Sequence, residues 1–68
     1  MSKGKVSYFN DRKGWGIIHN PESKEDIYVH FSVIMMPGYK TLKAGQDVWY
    51  DSVRMEDGLN AVNVRLAS

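Results

Sequence analysis

Cysteine is absent from the chain, which excludes disulfides and zinc–thiolate sites and suits a reducing compartment. No apolar run approaches the roughly 20 residues that a membrane-spanning helix needs. Met1 to Lys5 carry basic residues with no apolar stretch behind them, unlike a secretory signal. A soluble, cytoplasmic protein is expected, with no membrane as partner. No segment shows an apolar stripe of period 3.6, so no helix longer than a turn is expected either. The 68 residues read as a single domain, 1–68. A chain this short buries only about 60% of the surface it exposes when unfolded, so packing alone must hold it with little to spare.

Charge of either sign is nearly balanced, with a formal net charge of +1. Its distribution is uneven. Lys3, Lys5, Arg12 and Lys13 face only Asp11 in the first stretch, while acids gather at Glu22, Glu25 and Asp26 and again at Asp47, Asp51, Glu56 and Asp57. Charge alone decides little.

What the chain does have is alternation and turn signals. Lys5–Phe9 reads as a strand ending in the Asn-, Asp- and Gly-rich turn 10–14. Trp15–His19 is a second strand, stopped at Asn20-Pro21 because proline has no N–H for the ladder. Ile27–Phe31 is a third. A long connection follows over 32–46, broken at Pro37-Gly38, with one helical turn expected over Ser32–Met36 and Ser32 as its N-cap. Met35 and Met36 are expected to cap the open end of the barrel. Val48–Met55 and Leu59–Leu66 form a hairpin about Asp57-Gly58, a dipeptide that favours positive φ. The fold class is therefore all-β, a five-stranded antiparallel barrel, since closure removes exposed edges.

In the third strand, Ile27 and Val29 share one face, and Tyr28 and His30 share the other. In the second strand, Trp15, Ile17 and His19 oppose Gly16 and Ile18. Pairing the two strands places Trp15 and Ile17 beside Tyr28 and His30. One small barrel has one core, so this second, aromatic face is left to solvent, and an exposed aromatic patch calls for a partner. The bland alternative is that Tyr8, Phe9, Trp15 and Tyr28 simply pack inside, since aromatics favour strands. Against it stand the aliphatics at alternate positions and the cations Arg12 and Lys13 beside the rings. Rings bordered by cations suit single-stranded nucleic acid, because every base offers a π-face and stacking is worth about 1–3 kcal/mol per base. Cations then hold the backbone and make affinity fall with salt. Gly14 and Gly16, on either side of Trp15, suit a tightly bent barrel.

Lys13-Gly14-Trp15-Gly16-Ile17-Ile18 resembles the first ribonucleoprotein motif of cold-shock domains, usually Lys-Gly-Phe-Gly-Phe-Ile. Ile27-Tyr28-Val29-His30-Phe31 resembles the second, usually Val-Phe-Val-His-Phe. The likeness runs from Gly4 to Val64. It implies an oligonucleotide-binding barrel that takes single-stranded RNA and DNA, with mild preference for pyrimidine-rich strands. It also implies action as an RNA chaperone or transcription antiterminator in the cold-shock response. By position, the resemblance puts Tyr8, Trp15, Tyr28, His30, Phe31 and Tyr39 at base-stacking places and Phe9 at the platform edge. Lys13 falls at a phosphate-facing place, and Asn10 where a base edge can be hydrogen-bonded. Ile17 stands at the platform centre in place of a Phe, and Ser7 in place of a common Lys, so weaker binding than that of a typical member is expected. Trp49 and Ser52 depart from the family pattern in the fourth strand.

An enzyme is not expected. His19 and His30 have no metal-ligand spacing, no cofactor is implied, and His30 next to Ser32 along one strand end suggests no triad. The rival reading is a barrel that binds a proline-rich peptide, which also uses exposed aromatics. A monomer is expected.

Overall fold

In the computed structural model, which describes residues 1–67, the strands are β1 (Ser2–Asn10), β2 (Trp15–Asn20), β3 (Glu25–His30), β4 (Asp47–Met55) and β5 (Gly58–Leu66). They close into a barrel in the order β1-β2-β3-β5-β4. The ladders β1–β2, β2–β3, β1–β4 and β4–β5 are antiparallel, as expected. The seam between β3 and β5 is instead parallel, joined at Tyr28 and Asn60. It is extended by a parallel bridge from Ile34 to Val64. Among the described residues, no helix is long and apolar enough to cross a membrane.

The alternation of β2 and β3 sets the inside and the outside. Ile18, Ile27 and Val29 are buried with Val6, Val48 and Val64, each such burial contributing roughly 1.5–3 kcal/mol. Tyr50 and Asn20 add a polar link to the interior: Asn20 Nδ2 donates to the Tyr50 hydroxyl at 2.9 Å. The Asn20 carboxamide oxygen accepts from the backbone N–H groups of Glu22 and Ser23 at 2.9 and 3.2 Å. One buried side chain thus both satisfies the phenol and closes the turn into β3.

Strict alternation along β1 would send Val6 and Tyr8 to the same face. The structure separates them with a bulge. Val6 pairs with Ile18 and Tyr8 with Ile17, leaving Ser7 as an extra residue, whose hydroxyl donates to the Ile17 carbonyl at 3.2 Å. Val6 therefore enters the core while Tyr8 turns outward, 46% exposed. Gly16 makes this possible. A Cβ there would collide with the Tyr8 carbonyl and the Phe9 backbone, so β1 curls over β2 only because that side chain is missing. A second bulge in β5 has Asn63 at φ 53°, a left-handed conformation that Asn tolerates.

Three local expectations are corrected. Phe31 is not the end of β3; it opens a 3₁₀ turn spanning Phe31–Val33, shorter than the turn expected over 32–36. Its N-cap is His30 rather than Ser32, because the imidazole, not the hydroxyl, accepts the free N–H of Ser32. Met35 is exposed, and only Met36 packs against the core.

Candidate nucleic-acid interface

The outer faces of three strands form a small grid. Tyr8, Ile17 and Tyr28 stand side by side across β1, β2 and β3, and Asn10, Trp15 and His30 make the next row. The Trp15 indole reaches diagonally to both tyrosines of the neighbouring row. It meets Tyr8 edge-on, at 5.7 Å between centroids and 64° between planes. It lies nearly parallel to Tyr28, at 5.8 Å and 26°. Both are favourable aromatic geometries. Tyr28 is 37% exposed and Trp15 half-buried, so neither ring is sealed in the barrel.

His30 and Phe31 continue the surface, their rings 4.6 Å apart and tilted by 40°. The backbone N–H of Ser32 donates to His30 Nδ1 at 3.3 Å, and the Ser32 hydroxyl lies 2.9 Å from the same atom. A backbone N–H can only donate, so Nδ1 is the acceptor. The neutral ring then carries its proton on Nε2, ready to donate to a bound group.

Beyond Phe31 a cleft of about 460 Å³ opens between the β1–β2 turn and the long connection, with Lys13, Arg12 and Lys40 around Phe31 and Tyr39. Asn10 shapes it. Its carboxamide oxygen accepts from the N–H groups of Arg12 and Lys13 at 3.0 and 2.9 Å, and its Nδ2 donates to the Tyr8 hydroxyl at 3.2 Å. In the free protein, Asn10 thus holds the basic turn and orients Tyr8. On the far wall, Thr41 donates to the Asp11 carboxylate at 2.6 Å. The Tyr39 hydroxyl donates a long hydrogen bond, 3.5 Å, to the Asp11 backbone carbonyl. The phenol is held above its ordinary ionisation range first by the hydrogen-bonding influence of the Asp11 side chain, then by desolvation and by repulsion from that carboxylate.

Nine of the ten site residues taken from the sequence lie on this continuous surface. The tenth, Phe9, is half-buried and packs against the core beneath Gly16, a supporting ring more than a presenting one. Lys40 is a further cation of the cleft that the sequence reading does not name, and Arg12, noted there only as a cation beside the rings, joins it; each is next in sequence to a chosen residue, Tyr39 or Lys13. Adjacency to a selected residue across a turn was the available signal.

The model of the "Cold-shock" DNA-binding domain matches residues 2–67. A cold shock-like protein CspA of Stigmatella aurantiaca is 45% identical over 65 residues, covering 96% of each chain. A cold shock-like protein CspB of Bacillus cereus is 48% identical over 61 residues, 90% of this chain and 92% of its own. A cold shock-like protein CspD of Escherichia coli is 53% identical over 51 residues, 75% of this chain and 69% of its own. A barrel with its aromatic face turned outward beside a basic cleft fits these matches, and the chain belongs to the cold-shock family of nucleic-acid-binding domains.

Proposed function

We propose that this protein binds single-stranded RNA and DNA, with preference for pyrimidine-rich strands, and that it does so as a monomer. The observation that carries this reading is the unbroken outward series Tyr8–Trp15–Tyr28. Bases stack on these rings and on Phe31 and Tyr39, while Lys13, Arg12 and Lys40 receive the phosphates. A duplex, whose bases are already stacked, offers no face to such a surface. RNA chaperoning and transcription antitermination then share one mechanism. A protein that captures unpaired strands draws a hairpin equilibrium toward its open form, and no nucleotide hydrolysis is required.

The test is titration of a labelled oligothymidine, followed by fluorescence anisotropy at low and high salt, with the wild type and with Trp15→Ala. Expected are salt-sensitive binding and a loss of about 1–3 kcal/mol in the variant. Salt-insensitive binding to a proline-rich peptide, with none to the oligonucleotide, would establish the rival reading.

A further inference from the structure

Trp49 takes no part in that surface. It stands outward from β4, 36% exposed, on the side of the barrel formed by β1, β4 and β5. Its chain neighbours Val48 and Tyr50 already fill the core, so packing does not require an indole here. Its cross-strand partners in register are Lys3 of β1 and Arg65 of β5. Lys3 Nζ lies 5.7 Å from the indole centroid, a cation–π contact at an exposed site.

The charges around this ring are not all positive. Asp47 and Asp51 lie two residues to either side of Trp49 on β4. Each is matched locally: Lys5 Nζ lies 3.1 Å from Asp47, while the amino group of Met1 lies 3.3 Å from Asp51 and Asn63 donates to it at 3.4 Å. Among the described residues, no carboxylate lies within ion-pair distance of Lys3 or Arg65. Among the described residues, the Arg65 guanidinium donates to the Met35 thioether, at 3.7 Å, a weak acceptor. The result is one flat ring between two cations neither of which, among the described residues, forms an ion pair. After the Asn63 hydrogen bond and the Met1 amino group, the charge of Arg65 does reach Asp51 and helps to hold its carboxyl below the usual range.

We propose that Trp49, Lys3 and Arg65 form a second contact point for single-stranded nucleic acid, engaged by strands too long for the aromatic platform. The indole stacks one base, and Lys3 and Arg65 take the flanking phosphates. A second copy of the chain is the poorer occupant. Two-fold pairing about Trp49 brings Lys3 and Arg65 of one copy against those of the other, and like charges brought together are unfavourable.

This inference rests on the proposed single-strand binding, and its test separates the two. The probes are oligothymidines of about 6 and about 20 nucleotides, the first near the lower end of the roughly 4–16 nucleotides that such a barrel covers and the second beyond its upper end. In Trp15→Phe, Trp49 is the sole indole, and the long strand is expected to quench its emission while the short one does not. Trp49→Ala is expected to weaken the long strand about 5- to 20-fold, within the range for one stacked base. Its affinity for the short strand, set by the platform, stays at the wild-type level, and Trp49→Phe restores most of the loss. Should Trp49→Ala unfold, the pair Lys3→Gln and Arg65→Gln serves instead, and lowers the salt slope for the long strand alone by about one per cation removed. Equal affinities at both lengths together with an unquenched Trp49 would overturn the second contact. So would concentration-dependent dimerisation abolished by Trp49→Ala. Failure of the wild type to bind either strand would overturn the platform itself.

Discussion

The Phe31 ring lies against the α-carbon of Gly14, so closely that a Cβ there would stand 2.7 Å from Phe31 Cδ1. The two backbones are also tied, Phe31 N–H donating to the Gly14 carbonyl at 2.8 Å. Gly14 adopts φ 80°, so it is needed twice, for its conformation and for its missing side chain. Gly14→Ala should therefore cost about 1–3 kcal/mol of stability through left-handed strain alone, and displace Phe31 as well. Gly38 is the control. Its φ is 75°, but nothing lies within 4 Å of a Cβ there. Urea denaturation should find Gly14→Ala the less stable of the two, with weakened oligothymidine binding confined to it. Equal losses and equal affinities would mean that the ring contact contributes nothing.

Ile17 stands between Tyr8 and Tyr28 and is only half-buried. An aromatic ring at this position would extend the stack across the middle of the grid. Ile17→Phe is expected to tighten oligothymidine binding by up to about 1–3 kcal/mol, the worth of one further stacked base. Its outward position predicts little change in the unfolding midpoint. A titration showing unchanged or weaker affinity, with the fold intact, would show that the Trp15 indole already fills the space.

The period-two patterns of Ile27-Tyr28-Val29-His30 and of Trp15–His19 made the platform legible from sequence, because alternation reports which side chains share a face. The closed all-β architecture followed from turn residues at regular spacing. Other features depend on atoms far apart in the chain. The Ser7 bulge, which turns Tyr8 outward, arises from the approach of β1 to Gly16, and no local pattern encodes that meeting. The 3₁₀ turn begins at Phe31 because that residue is held by Gly14, outside the β3 ladder. Phe9 reads as an exposed aromatic by neighbourhood, yet the same bulge tucks it beneath the sheet. Trp49 was visible only as a departure from the family pattern, and its bracketing cations come from strands at opposite ends of the chain.

Asn20 is expected to be the most sensitive polar position in the core. Asn20→Ala removes its hydrogen bond to the Tyr50 hydroxyl and both turn contacts. It leaves a buried phenol without its partner, and a loss of about 2–3 kcal/mol is predicted from the orphaned polar group and the missing turn bonds. Tyr50→Phe removes only the phenol and should cost about 1 kcal/mol. A double-mutant cycle by chemical denaturation checks the pair. Additive losses would mean that the two side chains are not coupled and that Asn20 acts through the turn alone.

The Asp11 carboxylate acts on Tyr39 across the basic cleft, and its effect has a definite sign. Hydrogen bonding to Asp11, then desolvation, then repulsion by its charge all hold the phenol in its neutral form. The folded-state pKa therefore lies above the unfolded one. The associated stability is present below the unfolded phenol's ionisation and is lost as pH rises through the raised folded value. Asp11→Asn removes the negative charge, so Tyr39 should ionise at lower pH in the variant than in the wild type. Spectrophotometric phenolate titration, with Tyr39→Phe identifying which of the tyrosines moves, measures this directly. The loss of a negative group beside Lys13, Arg12 and Lys40 should also strengthen oligonucleotide binding near neutral pH and steepen its salt dependence. An unchanged Tyr39 titration would show that Asp11 is turned away from the phenol in solution, its carboxylate engaged by Thr41 alone.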